Sequence, residues 1–130
     1  MKKALLYIAG AMTLVWGVAH LFPTAGVVKD FGDISNDNKM IITMEWMVEG
    51  FCLIFIGLLT LVVTLTDTES ILARRIYLLT AGMLIAMAIL SLFTGFKVDF
   101  LPFKLCPPIF SVSAILIIVG TMMKERKLST

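Results

Sequence analysis

The run MIITMEWMVEGFCLIFIGLLTLVVTLT, residues 40–66, decides the fold. It is longer than the roughly 20 residues a helix needs to cross a bilayer, so it is predicted to tilt or to reach into the headgroup layer. Its only charged residues are Glu45 and Glu49, one helical turn apart. A carboxylate in hydrocarbon is costly enough that an intramembrane acid is a candidate functional site. Cys52 follows on the same stripe, which Ile56 and Thr60 extend.

Three more apolar runs flank this one, at residues 4–22, 76–96 and 107–123. The fold class is therefore all-α: an integral membrane four-helix bundle forming one domain over residues 1–130. The composition is 59% hydrophobic and 15% charged, with mean hydropathy +0.99. Soluble domains average roughly half and a quarter, so the apolar surplus has to face lipid. The spans of a β-barrel would be about ten residues of alternating polarity, and none occurs. A net charge of +2, with no basic patch among aromatics, excludes nucleic acid as the expected partner.

Between the runs lie turn formers. The first run follows Met1-Lys2-Lys3 and is stopped by Pro23. A basic start before an apolar stretch also suits a signal peptide, with small-residue cleavage points after Ala19 or Ala25, but the length favours a retained span. The loop 24–39 holds Gly26, Gly32 and Ser35-Asn36-Asp37-Asn38. Val27, Val28 and Phe31 suit a short interfacial helix within it. Asp67 or Ser70 is predicted to cap the third helix. Residues 97–104 read as a loop holding Asp99 and Pro102, and Pro107-Pro108 are predicted to open the fourth helix, where their missing amide protons cost little.

Charge sets the expected orientation. Lys2, Lys3, Arg74, Arg75, Lys124, Arg126 and Lys127 lie on one side, against Lys29, Lys39, Lys97 and Lys104 on the other. The positive-inside rule then places both termini in the cytoplasm. The expected location is a multi-pass position in the plasma or inner membrane of a prokaryote. Small residues indicate the packing. Gly10, Thr13, Gly17 and His20 fall within about a 100° arc of the first helix. Gly82 and Ala86, continued by Ala88, Ser91 and Gly95, offer a second close-approach face.

In this topology Glu45 sits about 7 Å and Glu49 about 13 Å below Met40, at 1.5 Å per residue. His20, the only histidine, reaches roughly the depth of Glu45. Asp99 and Cys106 approach from the third loop and the top of the fourth helix, so the ionisable groups converge on the outer half. Two carboxylates one turn apart in low dielectric cannot both ionise cheaply. Such a group can hydrogen-bond a carbonyl or relay protons. The candidate ligand-binding or proton-handling residues are Glu49, Glu45, His20, Cys52 and Trp16. Trp16 is deep enough to face a neighbouring helix, while Trp46 is expected in the interfacial aromatic belt. A metal site of His20, Glu45 and Glu49 is conceivable by donor type, but lacks a diagnostic motif, and no metal is expected. Cys52 and Cys106 show no CxxC or metal spacing and read as small buried hydrophobes. A disulfide between them would need Cα atoms within about 7 Å. No GxSxG, HExxH, P-loop or GxGxxG motif occurs, which leaves hydrolase, zinc-protease and nucleotide-binding readings without support.

Trp16-Gly17-Val18-Ala19-His20-Leu21-Phe22 and Met47-Val48-Glu49-Gly50-Phe51-Cys52-Leu53-Ile54-Phe55-Ile56-Gly57-Leu58-Leu59, with helical-hairpin spacing over nearly the whole chain, resemble the DoxX-like group of small four-helix membrane proteins. The resemblance implies functional interest at His20 and Glu49, and redox chemistry at the membrane through quinone or partner oxidoreductases. The expected function is a polar intramembrane pocket that binds a hydrophobic or quinone-like molecule, as a subunit of a membrane redox assembly. Quinone is the one cofactor considered. A dimeric proton-coupled transporter, a membrane isomerase using paired carboxylates and histidine, and an assembly subunit without a ligand are the alternatives. Lipid, a hydrophobic small molecule, and a second copy or membrane complex are the expected partners.

Overall fold

Ser35 starts the long helix four residues ahead of the apolar run, because its hydroxyl accepts the Asn38 amide at 3.2 Å and Asp37 sits in the positive first turn. The computed structural model describes residues 1–123 and, at Pro102, the backbone alone; the tail from Lys124 lies outside the described residues. The helices are α1 (Lys2–Leu21), α2 (Thr24–Asp30), α3 (Asn36–Thr66), α4 (Ile71–Phe93) and α5 (Leu101–Met122), with a 3-10 turn at Gly95–Lys97 before α5. α1, α3, α4 and α5 are long and apolar enough to cross a membrane, an arrangement that fits a multi-pass membrane protein. The short interfacial helix expected near Val27 is α2, and Gly32, at φ 74°, turns the chain from it into α3.

α5 begins earlier than the sequence predicts. Pro107 and Pro108 lie inside it, not at its start. Their fixed φ is compatible with helix, and the cost is two lost amide donors that would have met the carbonyls of Phe103 and Lys104. The extra turn and a half carries Phe103 and Cys106 on a helix, where Phe103 meets Trp46 and Cys106 is buried.

Around the bundle the order is α3, α1, α5, α4. The α1–α3 contact is built on facing glycines. A Cβ on Gly17 would stand 2.7 Å from the Ile54 amide, and one on Gly57 would stand 2.6 Å from the Leu14 amide. Only glycine permits that approach, and dispersion between close backbones holds helices together where lipid removes the hydrophobic drive. The predicted α1 face of Gly10, Thr13, Gly17 and His20 is buried as one stripe. The second predicted face divides: Gly82 has open space where its Cβ would be and Ala86 is exposed, while Ala88 is buried in the core and Ser91 and Gly95 are half-buried.

At one end, Lys2 Nζ donates to the Thr68 carbonyl and to Glu69 Oε1, both at 2.6 Å, tying α1 to the α3–α4 loop. Ser70 caps α4 by accepting the Ala73 amide at 3.1 Å. Asp67 Oδ1 accepts the Glu69 and Ser70 amides, and hydrogen bonding by Ser70 and Glu69 holds this carboxyl below the usual range. Thr64 and Tyr77 hydroxyls meet at 3.0 Å, pinning α3 to α4 beside this loop. Farther from the loop α3 and α4 touch little, and a groove of about 340 Å³ lies between them.

Gly57→Val is expected to destabilise the protein by about 2 kcal/mol, because backbone must move to admit the side chain. Gly82→Ala is expected to stay within about 0.5 kcal/mol of the parent. Denaturation in mild detergent, followed by circular dichroism, checks both.

Candidate functional site

Pro23 ends α1 by removing an amide, which leaves the last carbonyls of the helix without internal partners. Trp46 Nε1 donates to the His20 carbonyl at 2.8 Å, and the Thr24 hydroxyl donates to the Leu21 carbonyl at 2.6 Å. The same tryptophan stacks on the His20 ring, with centroids 3.9 Å apart and planes 16° from parallel. Phe103 of α5 also meets it, in a T-shaped contact with centroids 5.3 Å apart. Trp46 is only 6% exposed, so it belongs to the site and not to an interfacial belt. Its signal in the sequence is the i, i+3 spacing to Glu49, which sets both on one face of α3.

His20 and Glu49 meet from two helices. His20 Nε2 lies 3.6 Å from Glu49 Oε2, with side chains 2% and 32% exposed. That separation is too long for a hydrogen bond, and His20 Nε2 has no other partner among the described residues. Trp16, one turn before His20 on α1, packs against the core, and its buried Nε1 has no partner stronger than a weak sulfur acceptor. It lies beside the Cys106 thiol of α5. The donor atoms of His20, Glu49 and Cys106 all fall within 4.8 Å of one another. Buried polar atoms without partners are uncommon in native proteins and mark places where something else completes the set.

Of the residues singled out in the sequence, His20, Glu49 and Trp16 converge here. Glu45 does not reach His20; it is exposed at the groove mouth. Cys52 is half-buried in the groove wall, one turn beyond Glu49. Cys106 is buried, and both cysteines are free thiols. The metal trio weighed from the sequence was His20 with both glutamates; the trio that the fold gathers replaces Glu45 by Cys106. Asp99 instead pairs with Lys104 Nζ at 2.6 Å, which holds its carboxyl below the usual range.

Two spaces lead to Glu49. The α3–α4 groove is walled by Val48, Met83, Met87, Leu90 and Phe103, with Glu45, Glu49, Cys52, Ser91 and Thr94 as its polar points. A second space of about 400 Å³ runs under α2, past Val27, Phe31, Ile42 and Glu45, to Trp46 and Glu49. Both have the size and mixed lining of small-molecule sites. No protein-family model matches the chain, and no curated protein or solved structure is significantly similar to it.

Accessibility separates the thiols. A membrane-permeant maleimide is expected to modify Cys52 roughly tenfold or more faster than Cys106, as peptide mass spectrometry would show.

Proposed function

We propose that the protein binds a hydrophobic, quinone-like small molecule taken from the bilayer through the α3–α4 groove. The observation that carries this reading is an apolar crevice on the side of the bundle that ends on Glu49, with His20 and Trp46 immediately behind it. An isoprenoid-like tail matches Met83, Met87 and Leu90, and a carbonyl or hydroxyl head matches the polar points around Glu49. Glu49 supplies the hydrogen-bonding oxygen, and His20, held by the Trp46 stack, keeps its position beside it. The resemblance of the His20 and Glu49 segments to DoxX-like proteins supports quinone as the head group and a place in a membrane redox assembly. The lysine and arginine count supports termini in the cytoplasm and a site in the outer half of the membrane.

The test is titration of a water-soluble quinone analogue into detergent-solubilised protein, followed by tryptophan fluorescence, with mass spectrometry of co-purified lipids. Glu49→Leu is expected to weaken binding about tenfold, the loss of one good hydrogen bond of about 1.4 kcal/mol. Glu45→Leu, at the mouth, is expected to change it by no more than about twofold. Equal affinity in parent and Glu49→Leu sinks the reading. Uptake or efflux in vesicles that is lost on Glu49→Gln would assign a carrier instead.

A further inference from the structure

The groove uses the exposed side of Glu49 and leaves unexplained what faces it from within the bundle. There, His20 Nε2 is aimed at Glu49 Oε2 from a side chain 2% exposed and bonds to nothing. Cys106 Sγ comes in from a third helix, and all three donor atoms lie within 4.8 Å of one another. A hydrogen-bonded network would have closed these gaps. The 3.6 Å between His20 and Glu49 is too wide for a hydrogen bond and too narrow for a water bonded to both, and it is the spacing of ligands around a shared ion. Nitrogen, oxygen and sulfur at zinc bond lengths stand about 3.3–3.6 Å apart in a tetrahedron. The 3.6 Å between His20 and Glu49 already matches, and Cys106 Sγ, within 4.8 Å of both, needs a side-chain adjustment to join them.

We infer that His20 Nε2, Glu49 Oε2 and Cys106 Sγ form a site for a zinc-type divalent cation inside the bundle. The sulfur disfavours magnesium and calcium, which take oxygen, and the mixed donor set suits zinc. Charge supports the same choice. A neutral imidazole, a carboxylate and a thiolate bring two negative charges, and a divalent cation makes the sum zero, the cheapest state in a low-dielectric slab. On binding, the Cys106 thiol releases its proton to solvent and its sulfur forms the bond to the metal, with no change in oxidation state. Trp16 Nε1 already lies beside that sulfur, and deprotonation replaces a weak thiol acceptor by a thiolate. Trp46, stacked on the His20 ring and bonded to the His20 carbonyl, supplies the outer support that metal sites need. Three protein ligands leave one position open, the pattern of zinc sites that bind an exchangeable oxygen. The route in passes Glu45 and the partly exposed Glu49 along the groove.

The inference stands apart from the groove ligand, and its test uses no quinone. Full-length protein in mild detergent is stripped with chelator and titrated with cobalt(II), a spectroscopic stand-in for zinc. The expected result is saturation at one ion per chain, with a thiolate-to-cobalt charge-transfer band and tetrahedral ligand-field absorption. Cys106→Ser abolishes the charge-transfer band and weakens zinc binding roughly tenfold or more, while Cys52→Ser keeps both. His20→Gln weakens binding similarly. X-ray absorption at the zinc edge of the unmodified protein is expected to show a single sulfur neighbour with nitrogen and oxygen, a readout independent of whether any variant folds. No cobalt uptake, a zinc shell without sulfur, or a charge-transfer band that survives Cys106→Ser overturns the inference.

Discussion

The close approach of α1 to α3 is the constraint on which the site depends. Gly17 and Gly57 let backbone touch backbone, and a Cβ at either would collide with main-chain atoms of the other helix. With no hydrophobic effect between lipid-embedded helices, that contact area is the main source of their attraction. It also sets a distance. Gly17, one turn before His20, packs against Gly50, the residue after Glu49, so the helix pair that holds the bundle also aims His20 at Glu49.

The second determinant is uneven closure. Lys2 with the 68–69 carbonyl and carboxylate, and Thr64 with Tyr77, fasten the bundle at the α3–α4 loop. Among the described residues nothing comparable joins α3 to α4 at the other end, where Phe103 reaches across from α5 to Trp46. The bundle is therefore tight where it carries only structural polar groups and open where it carries Glu49. Threonines along the tight part return their hydroxyl protons to their own helix, as Thr13 does to Ala9 and Thr60 to Ile56, and so need no partner across the interface. His20 and Trp16 have no such local solution, and His20 Nε2 is left facing Glu49.

How much of this was legible depends on whether the signal is local. The Ser70 cap, the short helix after Pro23 and the buried stripe of Gly10, Thr13, Gly17 and His20 all follow from chemistry within a few residues. Pro107-Pro108 misdirects, because proline is tolerated inside a helix when tertiary contacts of Phe103 and Cys106 hold the turn before it. Gly82 and Ala86 carry the same small-residue spacing as the α1 stripe yet face outward, since spacing alone does not say which neighbour is present. Glu45 and Glu49 look equivalent as a pair one turn apart, but four residues advance a helix by about 400°, and the roughly 40° offset separates a groove mouth from a buried histidine.

The sequence by itself determined four helices long and apolar enough to cross a membrane and the polar residues set within them, because hydropathy and helical period are properties of neighbouring residues along one chain. Only the tertiary structure decided which of those polar residues meet. Trp46 left the aromatic belt for the His20 ring, Cys106 replaced Glu45 beside it, and α3 drew away from α4 to open a groove. Each of those outcomes depends on rotation and spacing between separate helices, and these are set by glycine contacts and capped ends that no single span encodes.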